Sequence, residues 1–133
     1  MTKKTRGFTV NWFDYSHARE VGELGEISGR DFADKLAVVK LTTVKNKGSF
    51  QPLIQEASAA LECQVKEEHQ IGTHQLVIGE VVEAHASDSF RDYWDFSKYE
   101  PLLYAGTEDG EGKSWRFMST QRSTVRVPFK HND

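Results

Sequence analysis

The chain has 133 residues and a mass of 15.1 kDa, the size of a single domain. With 38% hydrophobic and 28% charged residues it has enough apolar content to bury a core, which excludes wholesale disorder. A formal charge of −3, from 20 acidic and 17 basic residues, gives no surplus to hold a phosphate backbone, so no nucleic-acid partner is expected.

Local basic runs exist at Lys3, Lys4 and Arg6 and at Lys40, Lys45 and Lys47, and they read as solvated faces. The single cysteine, Cys63, excludes an intramolecular disulfide and a cysteine-based zinc cluster, and no metal site is expected. No apolar stretch follows the opening lysines, and no run approaches the ~20 residues of a membrane span. The expectation is a soluble cytoplasmic protein with no membrane partner.

In chain order, residues 8–13 (FTVNWF) are β-branched and aromatic and predict a short strand. Asp14 is placed to cap a helix over 15–24, with Gly25 closing it. Ser28-Gly29-Arg30-Asp31 resembles a capping box, which predicts a second helix over 30–37 burying Phe32, Leu36 and Ala37. Residues 38–45 read as strand or extended connection, and Asn46-Lys47-Gly48 as a turn.

The clearest signal lies at 58–86. Leu61, Cys63 and Val65 alternate with Glu62, Gln64 and Lys66, the period of two of a half-buried strand. Residues 74–86 follow across Gly72-Thr73, which predicts a long antiparallel hairpin. A two-residue loop places Cys63 opposite Val82, Leu61 opposite Ala84 and His69 near Leu76. Leu76, Val77, Ile78, Val81 and Val82 leave neither face of the second strand polar, so cover on both sides is expected from a helix or a partner subunit. Gly79 in its middle predicts a bulge, a bend or a close backbone approach.

Residues 87–98 read as a loop or one short helix capped by Ser87 or Asp88. Leu102–Ala105 predicts a strand, 107–114 a polar turn, and Trp115–Met118 a returning strand. Residues 119–133 form a polar tail with one strand candidate, 124–129. Strands with short helices and no βαβ alternation predict a small antiparallel barrel rather than a doubly wound sheet.

No nucleophile-elbow, zinc-protease, phosphate-loop or dinucleotide-binding motif is present, so single residues must be weighed. His74 and His85 are eleven apart on one strand, ~35 Å when extended, and cannot share a metal within the chain. Cys63, on an apolar strand face, reads as a small core residue. Glu80 is either paired across the sheet or turned to solvent. Ser28 to Asp31 is a plain helix cap or, with Arg30 and Lys35 close by, an anion seat at a helix start.

Three stretches resemble the flavin reductase-like family of FMN-binding split barrels. FTVNW with ISGRDFADKL is similar to that family's strand ending in V-N and its S-G-x-D-x-D-K-F segment. ASAALECQVKEEHQIGTHQLVIGEVVEAH resembles its long hairpin with a G-D-H turn and an I-G-E-V strand. PLLYAG is similar to its P-L-L-[YH]-x-G-G strand. Thr73 stands where the family has the Asp of G-D-H, and Thr107 replaces the second glycine after PLLY.

The resemblance covers roughly residues 8–118 and matches the C-terminal two-thirds of such a domain. It implies a mainly β fold with short helices: an antiparallel split β-barrel of the FMN-binding type, lacking the N-terminal strands. Residues 1–118 would form the truncated domain and 119–133 the tail. By resemblance, Ser28, Gly29 and Lys35 lie near the flavin, with the first two donating N–H groups to phosphate and Lys35 neutralising it. Gly72 and His74 match the turn associated with the nicotinamide nucleotide, and His74 is the catalytic candidate. Tyr104 and Gly106 match the strand at the flavin edge. The implied cofactor is FMN, the co-substrate NAD(P)H, the assembly a homodimer and the reaction hydride transfer to flavin. Two rivals are a truncated, non-catalytic dimerisation module without flavin, and an oxidase-like split barrel with another substrate.

Overall fold

A computed structural model describes residues 6–26, 35–45, 52–108 and 114–120. The expected turn at 46–48, the helix start at Ser28–Asp31 with Phe32, and the strand candidate 124–129 lie outside them.

The described strands form three antiparallel sheets. The main one has the order β1-β4-β5, from Gly7–Trp12, Ala59–Ile71 and His74–Ala86. Two-residue strands β2 (Thr43–Val44) and β3 (Leu53–Ile54) pair in a second sheet, and β6 (Leu103–Glu108) and β7 (Ser114–Met118) in a third. The prediction missed β2–β3 as a pair, because two residues are too few to show a period.

β4 is central because its apolar face meets apolar residues of β1: Leu61 opposes Val10 and Cys63 opposes Phe8. Cys63 is buried, and burial pushes its thiol pKa up, as a core cysteine requires. The hairpin loop is Gly72-Thr73, with Ile71 opposite His74. Gly72 has φ +58. A positive φ at the first loop position is what a II′ hairpin turn demands of a glycine.

The register departs from expectation at one step. Leu61 faces Ala84 and His69 faces Leu76 as expected, but Cys63 faces Val81, not Val82. Val82 is an extra residue between the Glu62–Glu83 and Cys63–Val81 pairs. Lys66 is the matching extra residue on β4, between Val65–Gly79 and Glu67–Ile78. The two bulges offset each other, so both ends of the hairpin share one register. Gly79 lies beside the Lys66 bulge, and the Phe8 ring lies against it: a Cβ there would be 2.6 Å from Phe8 Cζ. The irregularity expected at Gly79 is present, and what approaches closely is a side-chain ring rather than a backbone.

β5 is the sheet edge. Leu76, Ile78, Val81 and Val82 are exposed, so the expected cover over both faces is not supplied by the described residues. Glu80 pairs with the bulged Lys66 at 2.9 Å.

Asp14 caps the chain after β1. Its Oδ2 accepts from the Ser16 N–H at 2.9 Å, and its Oδ1 from the Glu100 N–H at 2.7 Å. A 3-10 turn, Tyr15–His17, leads into α1, Ala18–Glu26. The helix does not stop at Gly25 as predicted. Gly22 and Gly25 instead face the aromatic rings of β7: added Cβ atoms would sit 3.3 Å from Phe117 and 3.5 Å from Trp115.

α2 spans Lys35–Val38, ending one residue beyond the predicted helix, with Leu36 half-buried and Ala37, expected to be buried, exposed. It closes in a Schellman motif. Lys40 has φ +62; its N–H donates to Ala37 O, and Leu41 N–H donates to Leu36 O. Leu41 beyond it is buried. The following residue, Thr42, donates its N–H to both oxygens of Glu56, at 3.1 and 3.0 Å. Burial works to raise the Glu56 pKa, but those bonds outweigh it and hold the carboxyl below its usual range.

Residues 87–98 form a loop, not a helix. Trp94 stacks on the buried Tyr99 at 4.0 Å, and Phe90 packs edge-on to Trp94 at 5.2 Å. Burial raises the Tyr99 pKa, and the Asp14 charge adds to that. Within the loop, the Ser97 hydroxyl and N–H donate to Asp95 and keep its carboxyl below the usual range.

Candidate functional site

The expected site residues fall into separate places. Ser28 and Gly29 lie outside the described residues. Lys35 is the first residue of α2, half-buried, with its carbonyl accepting from Val39 N–H.

Gly72 and His74 sit at the tip of the β4–β5 hairpin. β1 pairs with β4 only as far as Gln64, so seven residues of β4, roughly 23 Å of strand, project beyond it. His74 is exposed, and its Nδ1 lies 3.2 Å from Thr73 Oγ1. Thr73, which replaces the family's aspartate, thus still offers the histidine a hydrogen-bonding neighbour.

Tyr104 and Gly106 lie on β6. Ala105 is an extra residue between the Tyr104–Phe117 and Gly106–Arg116 pairs, and Gly106 takes φ +138 there. That conformation requires glycine, although a Cβ would meet only open space. The Tyr104 hydroxyl bonds to Thr107 Oγ1, and its ring lies 5.7 Å from that of Trp115 and 6.1 Å from that of Phe117. These rings, with Val21, Gly22 and Gly25 of α1, line an apolar cleft of about 240 Å³. Gly72 and His74 are not among its walls. Sequence reasoning missed Trp115, Phe117 and the α1 glycines as parts of one cleft. The available signal was the Gly22/Gly25 spacing, which puts both on one helix face.

Among the described residues no group of three or more His, Cys, Asp or Glu side chains is placed to hold a metal ion. No helix among them is long and apolar enough to cross a membrane.

Three short antiparallel sheets, a long projecting hairpin and short helices are the parts of a split barrel, and solved split-barrel structures superpose on this chain. Flavoredoxin of Desulfovibrio vulgaris (Miyazaki F) has a TM-score of 0.73 at 24% identity, covering 97% of this chain and 66% of its own. The flavin reductase like domain model matches residues 1–112, and the chain belongs to that family. An uncharacterized protein of Aeropyrum pernix is 29% identical over 127 residues, 95% of this chain and 48% of that protein. One of Archaeoglobus fulgidus is 31% identical over 104 residues, 78% of this chain and 56% of that protein. The chain spans about half the length of the curated relatives it matches.

Proposed function

We propose that the chain is an FMN-binding unit of a flavin reductase that takes hydride from NAD(P)H. The family match over residues 1–112 carries this reading. In it, residues 1–118 form the flavin-binding domain, 119–133 a polar tail, and the protein acts in the cytoplasm.

The described residues fit parts of a flavin. The apolar cleft walled by Tyr104, Trp115 and Phe117 suits the edge of a flat aromatic ring. Lys35 supplies a cation for the phosphate, and the family resemblance assigns its N–H donors to Ser28 and Gly29, outside the described residues. Bound flavin would supply the hydride-accepting chemistry; the protein supplies binding and orientation. Gly106 frees space beside Tyr104, and His74 at the hairpin tip guides the nicotinamide nucleotide.

The purified chain is expected to take up FMN and show flavin absorbance. FMN should bind more tightly than riboflavin by about tenfold or more, since a charge-assisted phosphate bond contributes roughly 1.5–3 kcal/mol. Lys35→Ala should remove most of that difference in a fluorescence-quenching titration. A protein that stays colourless with excess FMN would overturn the reading and leave a non-catalytic dimerisation module.

His74→Ala is expected to leave the fold and FMN affinity within ~0.5 kcal/mol, as for an exposed turn residue. It should lower kcat/KM for the reduced nicotinamide about tenfold, ~1.4 kcal/mol of transition-state stabilisation. Stopped-flow reduction by NADH and NADPH measures this. Unchanged kinetics would make His74 a surface residue of the tip.

The protein is expected to be a homodimer. Leu76, Ile78, Val81 and Val82 are each 44–51% exposed on an edge strand, a surface that a second copy would cover. Light scattering after size exclusion should give twice 15.1 kDa; a clean monomer overturns it.

A further inference from the structure

Glu62 and His85 take no part in the flavin reading, yet they form the most enclosed carboxylate–imidazole pair among the described residues. The Glu62 side chain is 7% exposed in the centre of the main sheet. A carboxylate is costly there unless it is paired. Its partner lies diagonally across the hairpin: Glu62 opposes Glu83, and Oε2 of Glu62 is 2.7 Å from Nε2 of His85.

This contact fixes what His85 offers elsewhere. An ionised carboxylate only accepts, so Nε2 carries the proton and donates. Where the ring is neutral, the proton on Nε2 leaves a bare lone pair on Nδ1. No hydrogen bond to that Nδ1 is made among the described residues, and the side chain is 43% exposed.

His85 lines a cleft of about 300 Å³ between the β2–β3 pair and the roots of β4 and β5. Its walls are mostly apolar, Ala59, Ala60 and Ala86 among them, and Gln55, Ser58 and Ser87 join His85 as polar groups. Such a space is at the small end of ligand sites and suits a single substituted ring. The His85 acceptor favours a ligand that brings a hydrogen-bond donor.

We propose that this cleft binds a single-ring aromatic alcohol of the phenol class. The ring lies on the alanine wall, and the hydroxyl donates to His85 Nδ1. Glu62 is a positioning residue that holds the tautomer leaving this acceptor free. A purely apolar ring leaves Nδ1 unpaired, which disfavours it.

The test is a titration of the ¹⁵N-labelled full chain, without added flavin, using phenol and toluene as matched probes. Histidine ring ¹⁵N spectra should show His85 as the Nε2–H tautomer. Phenol should shift His85 Nδ1 and the amides of Ala59, Ala60 and Ala86 saturably, with affinity at least tenfold above that of toluene. His85→Phe keeps a ring of similar size without the acceptor and should reduce the phenol preference to twofold or less. Glu62→Gln can still accept from Nε2–H and should retain the preference, whereas Glu62→Ala should lose it along with the tautomer. If Glu62→Ala does not fold, His85→Phe and Glu62→Gln carry the test. Equal shifts by both probes, no shift by phenol, or a preference that survives in His85→Phe overturns the proposal. Because FMN is absent throughout, the outcome is independent of the flavin reading.

Discussion

Replacing Gly79 by alanine is expected to destabilise the fold by about 2 kcal/mol, within the range for overpacking a filled interior. The added Cβ would lie 2.6 Å from Phe8 Cζ, 2.7 Å from Phe8 Cε1 and 3.2 Å from Cys63 Cβ. The Phe8 ring must therefore move off β5, and Cys63, which is 4% exposed, leaves it little room to settle. Thermal unfolding should show Tm falling by roughly 6–10 °C. Phe8→Leu withdraws the clashing ring atoms at some loss of packing of its own. The double variant should accordingly be more stable than the sum of the single changes implies, by about 1 kcal/mol or more. Strict additivity would show that the Phe8 ring is not what excludes a side chain at position 79.

The second large effect is expected at Asp14. One carboxylate accepts from the N–H of Ser16, where it starts the helical segment, and from the N–H of Glu100, 86 residues away in sequence. Tyr15 N–H also donates to Glu100 O at 2.8 Å, so the end of β1 and the approach to β6 are joined at this point. Asp14→Ala removes a helix cap, worth about 1 kcal/mol, and leaves the partly buried Glu100 N–H without its charged acceptor. The total loss should be about 2–3 kcal/mol in chemical denaturation. Asn has one carbonyl oxygen and can serve only one of the two N–H groups well, so Asp14→Asn should fall between. Amide exchange at Glu100 should quicken in both variants. Equal stability of all three proteins would mean that this junction does not hold the two segments together.

Much of the main sheet is legible in the sequence because its signals are local and periodic. Alternation at Leu61, Cys63 and Val65 marks β4, and Gly72-Thr73 fixes the loop, so the pairs Leu61–Ala84 and His69–Leu76 follow by counting. Gly79 marks the irregularity beside Lys66, but the bulge at Val82 is not legible. Val82 sits between Val81 and Glu83 with nothing in its composition to mark it as the extra residue. Gly25 misleads for a related reason. A glycine that ends a helix and one that admits an aromatic ring look alike until Trp115, ninety residues on, is placed against it.

Glu62 is the more instructive case at the site. Alternation assigns it to the polar face of β4, yet it is 6% exposed. The same alternation, carried through the predicted register, puts His85 one diagonal step away, so the pair was within reach of counting while the burial was not. Lys35 is marked locally only as a cation near a helix start. His74 and Tyr104 are ordinary in their local patterns, and only the resemblance to a family sets them apart.

The paired bulges also constrain how the length of this hairpin can drift. Deleting Val82 alone would close one bulge and leave every other pair in place, with Glu62–Glu83 and Cys63–Val81 then successive. Deleting Lys66 alone would do the same at the other, joining Val65–Gly79 to Glu67–Ile78. Deleting both would leave Leu61 opposite Ala84 and Glu67 opposite Ile78, with an unbroken ladder between them. A residue lost elsewhere in the ladder has no such outlet, because the slip turns side chains to the opposite face. Across related chains, length differences in the two arms should therefore fall at these two positions, singly or together, a rule that can be checked by counting from the loop outward.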